Sequence, residues 1–417
     1  MRVLPLALLA ALAVVTAGCL NAAVAPPILE EEAAPDLPSD LAPFAPAVEL
    51  RALAREAAAT GATVKIPATA VVETFPLSTG TGRALDLPVK LRPSPLLSNA
   101  TWAEVDGVRV AMPAIEVYEG EVENRPGWKV RLTTTDQWTR GVVLAPRFNV
   151  LGMTPAGGVI PYLVRIGLEG NVPYGTELPS DKPGAGPTVR TGPDGAWMFD
   201  APNWPQQDCL ELVPPHVAPV LERPATQKAI TAKIVLDGDA RFGEALGNHS
   251  FPMMIAMLNE VDPIYEQEVG IRFSLVGAHL NTDPDYYPDP KKEAPLTKAA
   301  EYWNGRKDVD RDVVHVFTGY PSNYAMANCI GGAGIPDIGY TFTPLGWEID
   351  SVYFHTSAFA HELGHIFSAH HHYGNHVETD GGLATIMIQG YTPGFRPVFS
   401  TLSKTVIRGW AEQYIKD

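Results

Sequence analysis

Residues 361–372 read His361-Glu-Leu-Gly-His365-Ile-Phe-Ser-Ala-His370-His371-His372. On a helix, positions four apart share one face, so His361 and His365 can hold one metal ion through two imidazole nitrogens. Glu362 follows the first of them and can take a proton from a water at that metal. His371 lies ten residues after His361. A third imidazole there would complete a three-nitrogen zinc site with one position left for water, the arrangement of catalytic zinc. Because residues 370 to 372 are all histidine, His370 rivals His371 for that place.

These ligands need a helix under them. Phe359, Leu363 and Ile366 or Phe367 form an apolar stripe, and Thr356 or Ser357 can cap its start. Upstream, Lys233–Leu236, Ile271–Val276 and Val313–Phe317 have strand character, and Pro252–Val269 has helical spacing. Strand, helix, strand, strand and then the motif helix predict an α/β (α+β) catalytic domain over residues 229–417. Before it, residues 60–200 read as β-rich. Ile115–Val122 and Trp128–Leu132 alternate apolar and polar residues around a Pro126-Gly127 turn, and Gly141–Leu144 and Val159–Ile166 continue the pattern. A Pro-rich connection over 201–228, its prolines already frequent from Pro183, separates the two domains.

Met387 follows His371 by sixteen residues, in Thr385-Ile386-Met387. With the histidine motif it resembles a metzincin metallopeptidase, closest to the adamalysin or reprolysin group. Also similar are Asn259-Glu-Val-Asp-Pro-Ile-Tyr265, Phe317-Thr318-Gly319 with the Gly/Ala-rich segment up to Tyr340, and Phe399-Ser400. The resemblance implies a metzincin-like domain with a mixed sheet and an active-site helix. It makes His361, His365 and His371 zinc ligands, Glu362 the general base and Met387 the Met-turn residue beneath the metal. The implied activity is a zinc-dependent endopeptidase acting on proteins or peptides. By the same likeness the substrate lies along a strand edge within Gly331–Thr343, with Gln389–Phe395 forming part of the pocket wall. Two positions depart from the group. Ser368 stands where the family has the glycine that turns the chain toward the third ligand, and His372 stands where the adamalysin group has aspartate. A serine at that turn must bear strain or adopt another turn. Ser368 also leaves room for a second reading, a catalytically silent zinc-stabilised binding or adhesion module.

Tyr118–Leu132, followed by Gly141, is similar to the Gly-x-Val strand pair of that group's propeptide, which makes the β-rich domain propeptide-like and the chain a zymogen. Whether that domain is removed stays open. The chain has three cysteines, Cys19, Cys209 and Cys329. Cys209 either serves as a latency switch, its thiolate on the open zinc position, or pairs with Cys329 in a disulfide.

The start of the sequence points to export. Arg2 precedes an apolar run, Val3–Val15, too short to span a bilayer. Thr16-Ala17-Gly18-Cys19 then resembles the lipobox of prokaryotic lipoproteins, with Thr16 in place of the usual leucine, so Cys19 is the expected site of a lipid anchor to the membrane. An ordinary cleaved signal peptide is the other reading. Residues 20–59, rich in Ala, Pro and acidic residues, read as a flexible tether. The formal net charge of -16 argues against a nucleic-acid partner, which needs a basic face.

Overall fold

The computed structural model describes residues 45–67, 71–73, 87–98, 101–148, 155–166, 168–169, 172–173, 229–284, 286–287, 295–320, 325–344, 352–371, 385–387 and 398–416. Cys19, Cys209, His372, the Pro-rich connection and the segment Gln389–Phe395 lie outside them.

In the first half, α1 (Ala45–Thr60) precedes β1 (Thr63–Ile66), β2 (Val71–Glu73), β3 (Leu87–Pro93), β4 (Trp102–Val105), β5 (Val108–Val110), β6 (Glu116–Val122), β7 (Lys129–Thr134), β8 (Thr139–Phe148) and β9 (Pro155–Ile166), then the short hairpin β10 (Leu168–Glu169) and β11 (Val172–Pro173). Seven strands form one antiparallel sheet in the order β1-β3-β6-β7-β8-β9-β2. The β-rich reading of this half holds, and Gly127 takes a positive φ in the turn expected between β6 and β7.

The tether reading does not hold from residue 45 on. Ala47, Leu50, Ala54 and Ala57 recur at helical spacing and are buried, so α1 packs on the sheet instead of trailing free. Alanine is the strongest helix former, and its small size hid the stripe among acidic and polar neighbours.

The second half holds β12 (Ile230–Gly238), α2 (Ala240–Leu246), α3 (Ser250–Val269), β13 (Ile271–Leu280), α4 (Pro295–Gly305), β14 (Val313–Thr318), β15 (Met326–Ala327), β16 (Tyr340–Pro344), α5 (Val352–Ile366) and α6 (Thr401–Tyr414). Its mixed sheet runs β15-β16-β14-β12-β13-β4-β5. The pairs β12–β13, β12–β14 and β14–β16 are parallel, while β15 is antiparallel to β16. Fully buried strands such as β14 read as continuous apolar runs because helices cover both faces.

Two strands of this sheet come from the first half of the chain. β4 adds in parallel to β13, pairing Trp102 with Gly277 and Glu104 with His279, and β5 folds back on β4. The division at 60–200 therefore mixes two structural units. The hairpin signal was present in Asp106-Gly107 between Val105 and Val108, and both turn residues have positive φ.

Layers follow from strand periodicity. Val130, Leu132 and Val143 face α1, whereas their neighbours Arg131, Thr133, Val142 and Leu144 face α3. The helix α3 is thus held between two sheets, α5 packs beside it against the second sheet, and α4 covers that sheet's far face through Leu296, Ala299 and Trp303. Among the described residues no helix is long and apolar enough to cross a membrane.

Candidate metal centre

The motif helix α5 starts at Val352, a turn earlier than a cap at Thr356 or Ser357 would place it. Thr356 instead donates its hydroxyl to Glu260 of α3 at 2.6 Å. Phe359, Leu363 and Ile366 are buried, as the apolar stripe requires. Tyr265 of α3 donates its hydroxyl to the Ala360 carbonyl at 2.8 Å. Burial, together with the nearby charge of Glu362, holds that phenol well above its ordinary pKa, so it stays a donor.

The helix ends in a turn that brings the third histidine back. Ser368 N–H donates to the His365 carbonyl at 2.8 Å, and Ala369 N–H donates to the Gly364 carbonyl at 2.9 Å. These are the paired bonds of a Schellman motif, whose residue outside the helix adopts the left-handed conformation. Ser368 occupies that position with φ 74. The serine therefore makes the turn a glycine would make, at a cost of about 1–2 kcal/mol for a left-handed non-glycine residue. The Gly-rich segment caps the remaining carbonyls. Gly331 N–H donates to His365 O, and Gly332 and Ala333 donate to Ile366 O.

This turn settles the rivalry between adjacent histidines. His371 is buried and His370 is exposed. The Nε2 atoms of His361, His365 and His371 lie 3.0 Å from one another in all three pairs. His361 Nδ1–H donates to the Ile386 carbonyl at 2.6 Å, and His365 Nδ1–H donates to the Ala369 carbonyl at 2.7 Å. A carbonyl can only accept, so each of these two rings carries its proton on Nδ1 and turns an Nε2 lone pair toward the common point. Nitrogens 3.0 Å apart can all reach one ion at the zinc–nitrogen distance of about 2.0–2.1 Å. The donor set and its spacing therefore fit zinc. Glu362 is fully buried beside His361 on the same helix.

Met387 is buried under the helix at Gly364. A Cβ at Gly364 would stand 2.4 Å from the Met387 sulfur, so the thioether sits where only glycine leaves room. Ile386, one residue earlier, supplies the carbonyl that orients His361, so this turn both supports the helix and sets a ligand. The sequence signal for Gly364 was its place inside the motif, which periodicity could not explain.

Three histidines outside the motif, His279, His315 and His355, are core residues. His315 stacks on Phe359 at 3.6 Å, and burial holds its pKa well below the usual value. Among the described residues the edge of the sheet beyond β16 is β15, at Met326–Ala327, and not a strand within Gly331–Thr343. Residues 331–333 cap α5, and β16 is paired on both sides. Cys329 is disulfide-bonded.

Comparison with known proteins bears on this geometry. Residues 252–372 match the family model described as metallo-peptidase family M12B, reprolysin-like. The matched stretch runs from the first turn of α3 past His371, so this stretch of the second unit is similar to a zinc-dependent metallopeptidase of that family. No curated protein matches the chain. A solved structure described as "Structure of a chaperone-substrate complex" is 16% identical, with a TM-score of 0.33, over 46% of this chain and 37% of that chain. The chain thus spans little more than a third of that protein, and so low a score supports no argument about fold or function.

Proposed function

We propose that this protein is a zinc endopeptidase that hydrolyses peptide bonds of extracellular proteins or peptides, with Glu362 as general base. The observation that carries the reading is the convergence of three imidazole lone pairs beside a buried carboxylate on one helix. A structural zinc site has no use for that carboxylate, since its ligands are complete without it. Bound zinc would supply Lewis acidity to the scissile carbonyl and to water. Glu362 takes the proton from the attacking water and passes it to the leaving amine. Substrate backbone can add to the free edge of β15, beyond β16, as an extended strand. Ser368, the residue that spoke for a silent binding module, lies in a turn that brings His371 to the site. Export with a lipid on Cys19 is part of the same proposal and rests on the lipobox-like sequence. Pairing of Cys329 with Cys209 is also proposed, in preference to a thiolate switch.

The test pairs zinc content with casein cleavage for the wild type and Glu362→Gln. One zinc per chain in both, with cleavage lost in the variant, is the expected result. Undiminished cleavage by Glu362→Gln would remove the general base, and zinc without cleavage by the wild type would favour the silent module.

A further inference from the structure

We infer that the N-terminal β-rich unit is a permanent structural subunit of this enzyme, not a segment that leaves the catalytic unit after cleavage of the connection. Three independent features of the seam carry this.

The first is strand sharing. β4 completes the catalytic sheet along β13, and Gly277 is shaped for it: a Cβ there would meet the Trp102 ring at 2.2 Å. Further bonds fasten the strand at both ends, from Thr101 Oγ1 to the Leu275 carbonyl and from Asp106 N–H to the Leu280 carbonyl. Glu104, buried on β4, accepts from Arg306 of the catalytic unit at 2.7 Å.

The second is α3. Residues Ser250 to Tyr265 are buried without interruption, on every face of the helix. A helix buried all round needs partners on both sides. The catalytic sheet and α5 supply one side. Trp138, in the turn before β8, and Val142 and Leu144 of β8 belong to the same core as the α3 methionines and supply the other. Loss of the N-terminal unit would expose that apolar face to water.

The third is a buried charge relay to the motif helix. Arg140 of β8 donates to both oxygens of Glu260 at 2.7 and 2.9 Å, and Glu260 accepts from Thr356 of α5. Arg140 and Glu260 are both fully buried. The N-terminal sheet is thereby linked to the helix that carries His361 and His365.

Topology lets such a subunit remain without covering the substrate edge. β4 and β5 extend the sheet at one end, and among the described residues β15 is the edge strand at the other.

The test uses the full chain with a site-specific protease sequence inserted between Pro183 and Pro205. The chain is folded, then cut, with reductant present so that no disulfide joins the pieces. Size-exclusion chromatography at micromolar concentration should show one peak containing both pieces. In the same cut protein, Gly277→Val should release the N-terminal piece, because the new side chain evicts Trp102. Separation of the wild-type pieces in native buffer, whatever the state of the released catalytic piece, would overturn the inference. So would retention that neither Gly277→Val nor Arg140→Leu weakens. Neither readout depends on peptidase activity.

Discussion

The metal centre and the seam between the two sheets are both buried and polar, and both converge on α5, yet they are assembled in opposite ways. The ligands span eleven residues, 361 to 371, and one helix with one turn places them all. The seam joins residues 120 and 135 positions apart, Arg140 with Glu260 and Arg131 with Glu266. The centre needs a precise local turn and tolerates an unusual residue there. The seam needs two surfaces far apart in sequence to meet, and its charges are satisfied only when they do. Chemistry thus rests on short-range geometry, while the stability of its platform rests on long-range docking.

The sharpest break of this comparison lies at the centre. His371→Ala should reduce zinc to background, and His370→Ala should leave it at one per chain, as read by elemental analysis. Glu362→Gln should keep the zinc and lower cleavage by about 10²–10⁴-fold, the usual range for a lost general base.

At the seam, Arg140→Met leaves Glu260 charged and buried without its guanidinium. A loss of about 3–5 kcal/mol in urea unfolding is expected. Replacing both residues with methionine should recover most of it, since two apolar groups of similar shape strand no charge. A double variant as unstable as the single one would mean that packing, not charge, holds this point.

Gly364→Ala tests the packing between motif helix and Met turn. The added methyl meets the Met387 sulfur and should destabilise by about 1–3 kcal/mol. In a Met387→Ala background that penalty should largely vanish, and a penalty of the same size in both backgrounds would contradict the contact. Ser368→Gly acts in the opposite direction. Relief of the left-handed serine, less the entropy glycine loses on folding, should stabilise by a few tenths to about 1 kcal/mol with zinc content unchanged.

The smallest effect is a pH dependence where β4 joins the sheet. Burial alone would lower the pKa of His279, but Asp237 at 2.7 Å and Glu104 across the strand pair offset it and hold the imidazole above its usual value. A raised folded-state pKa means the contribution is complete below the unfolded value, about 6.5, and is lost as pH rises through the folded one. The stability gap between wild type and His279→Asn should therefore narrow as pH rises above neutrality.

Legibility in the sequence followed the same division. His361, Glu362, His365 and Met387 stood out because helical spacing and order along the chain are local signals. For the third ligand, spacing and resemblance favoured His371 but the run of three histidines kept His370 as a rival, since the outcome depends on the φ of Ser368. The strands of the N-terminal sheet were visible in their alternation, but α1 was not, because its stripe is mostly alanine. The sharing of β4 escaped notice although Asp106-Gly107 marks a hairpin, since nothing in a hairpin says which sheet it will join. The unbroken apolar run Phe251–Leu258 carried a clue: one helical face would have sufficed for a single sheet. Arg140 and Glu260 gave no signal, because each alone reads as a surface charge.

The most direct test of the account is X-ray absorption at the zinc edge of the purified, full-length protein. Three imidazole nitrogens and one oxygen at about 2.0–2.1 Å are predicted, with no sulfur in the shell. A scatterer at about 2.3 Å would place a cysteine thiolate on the metal, and an absence of zinc would contradict the centre itself.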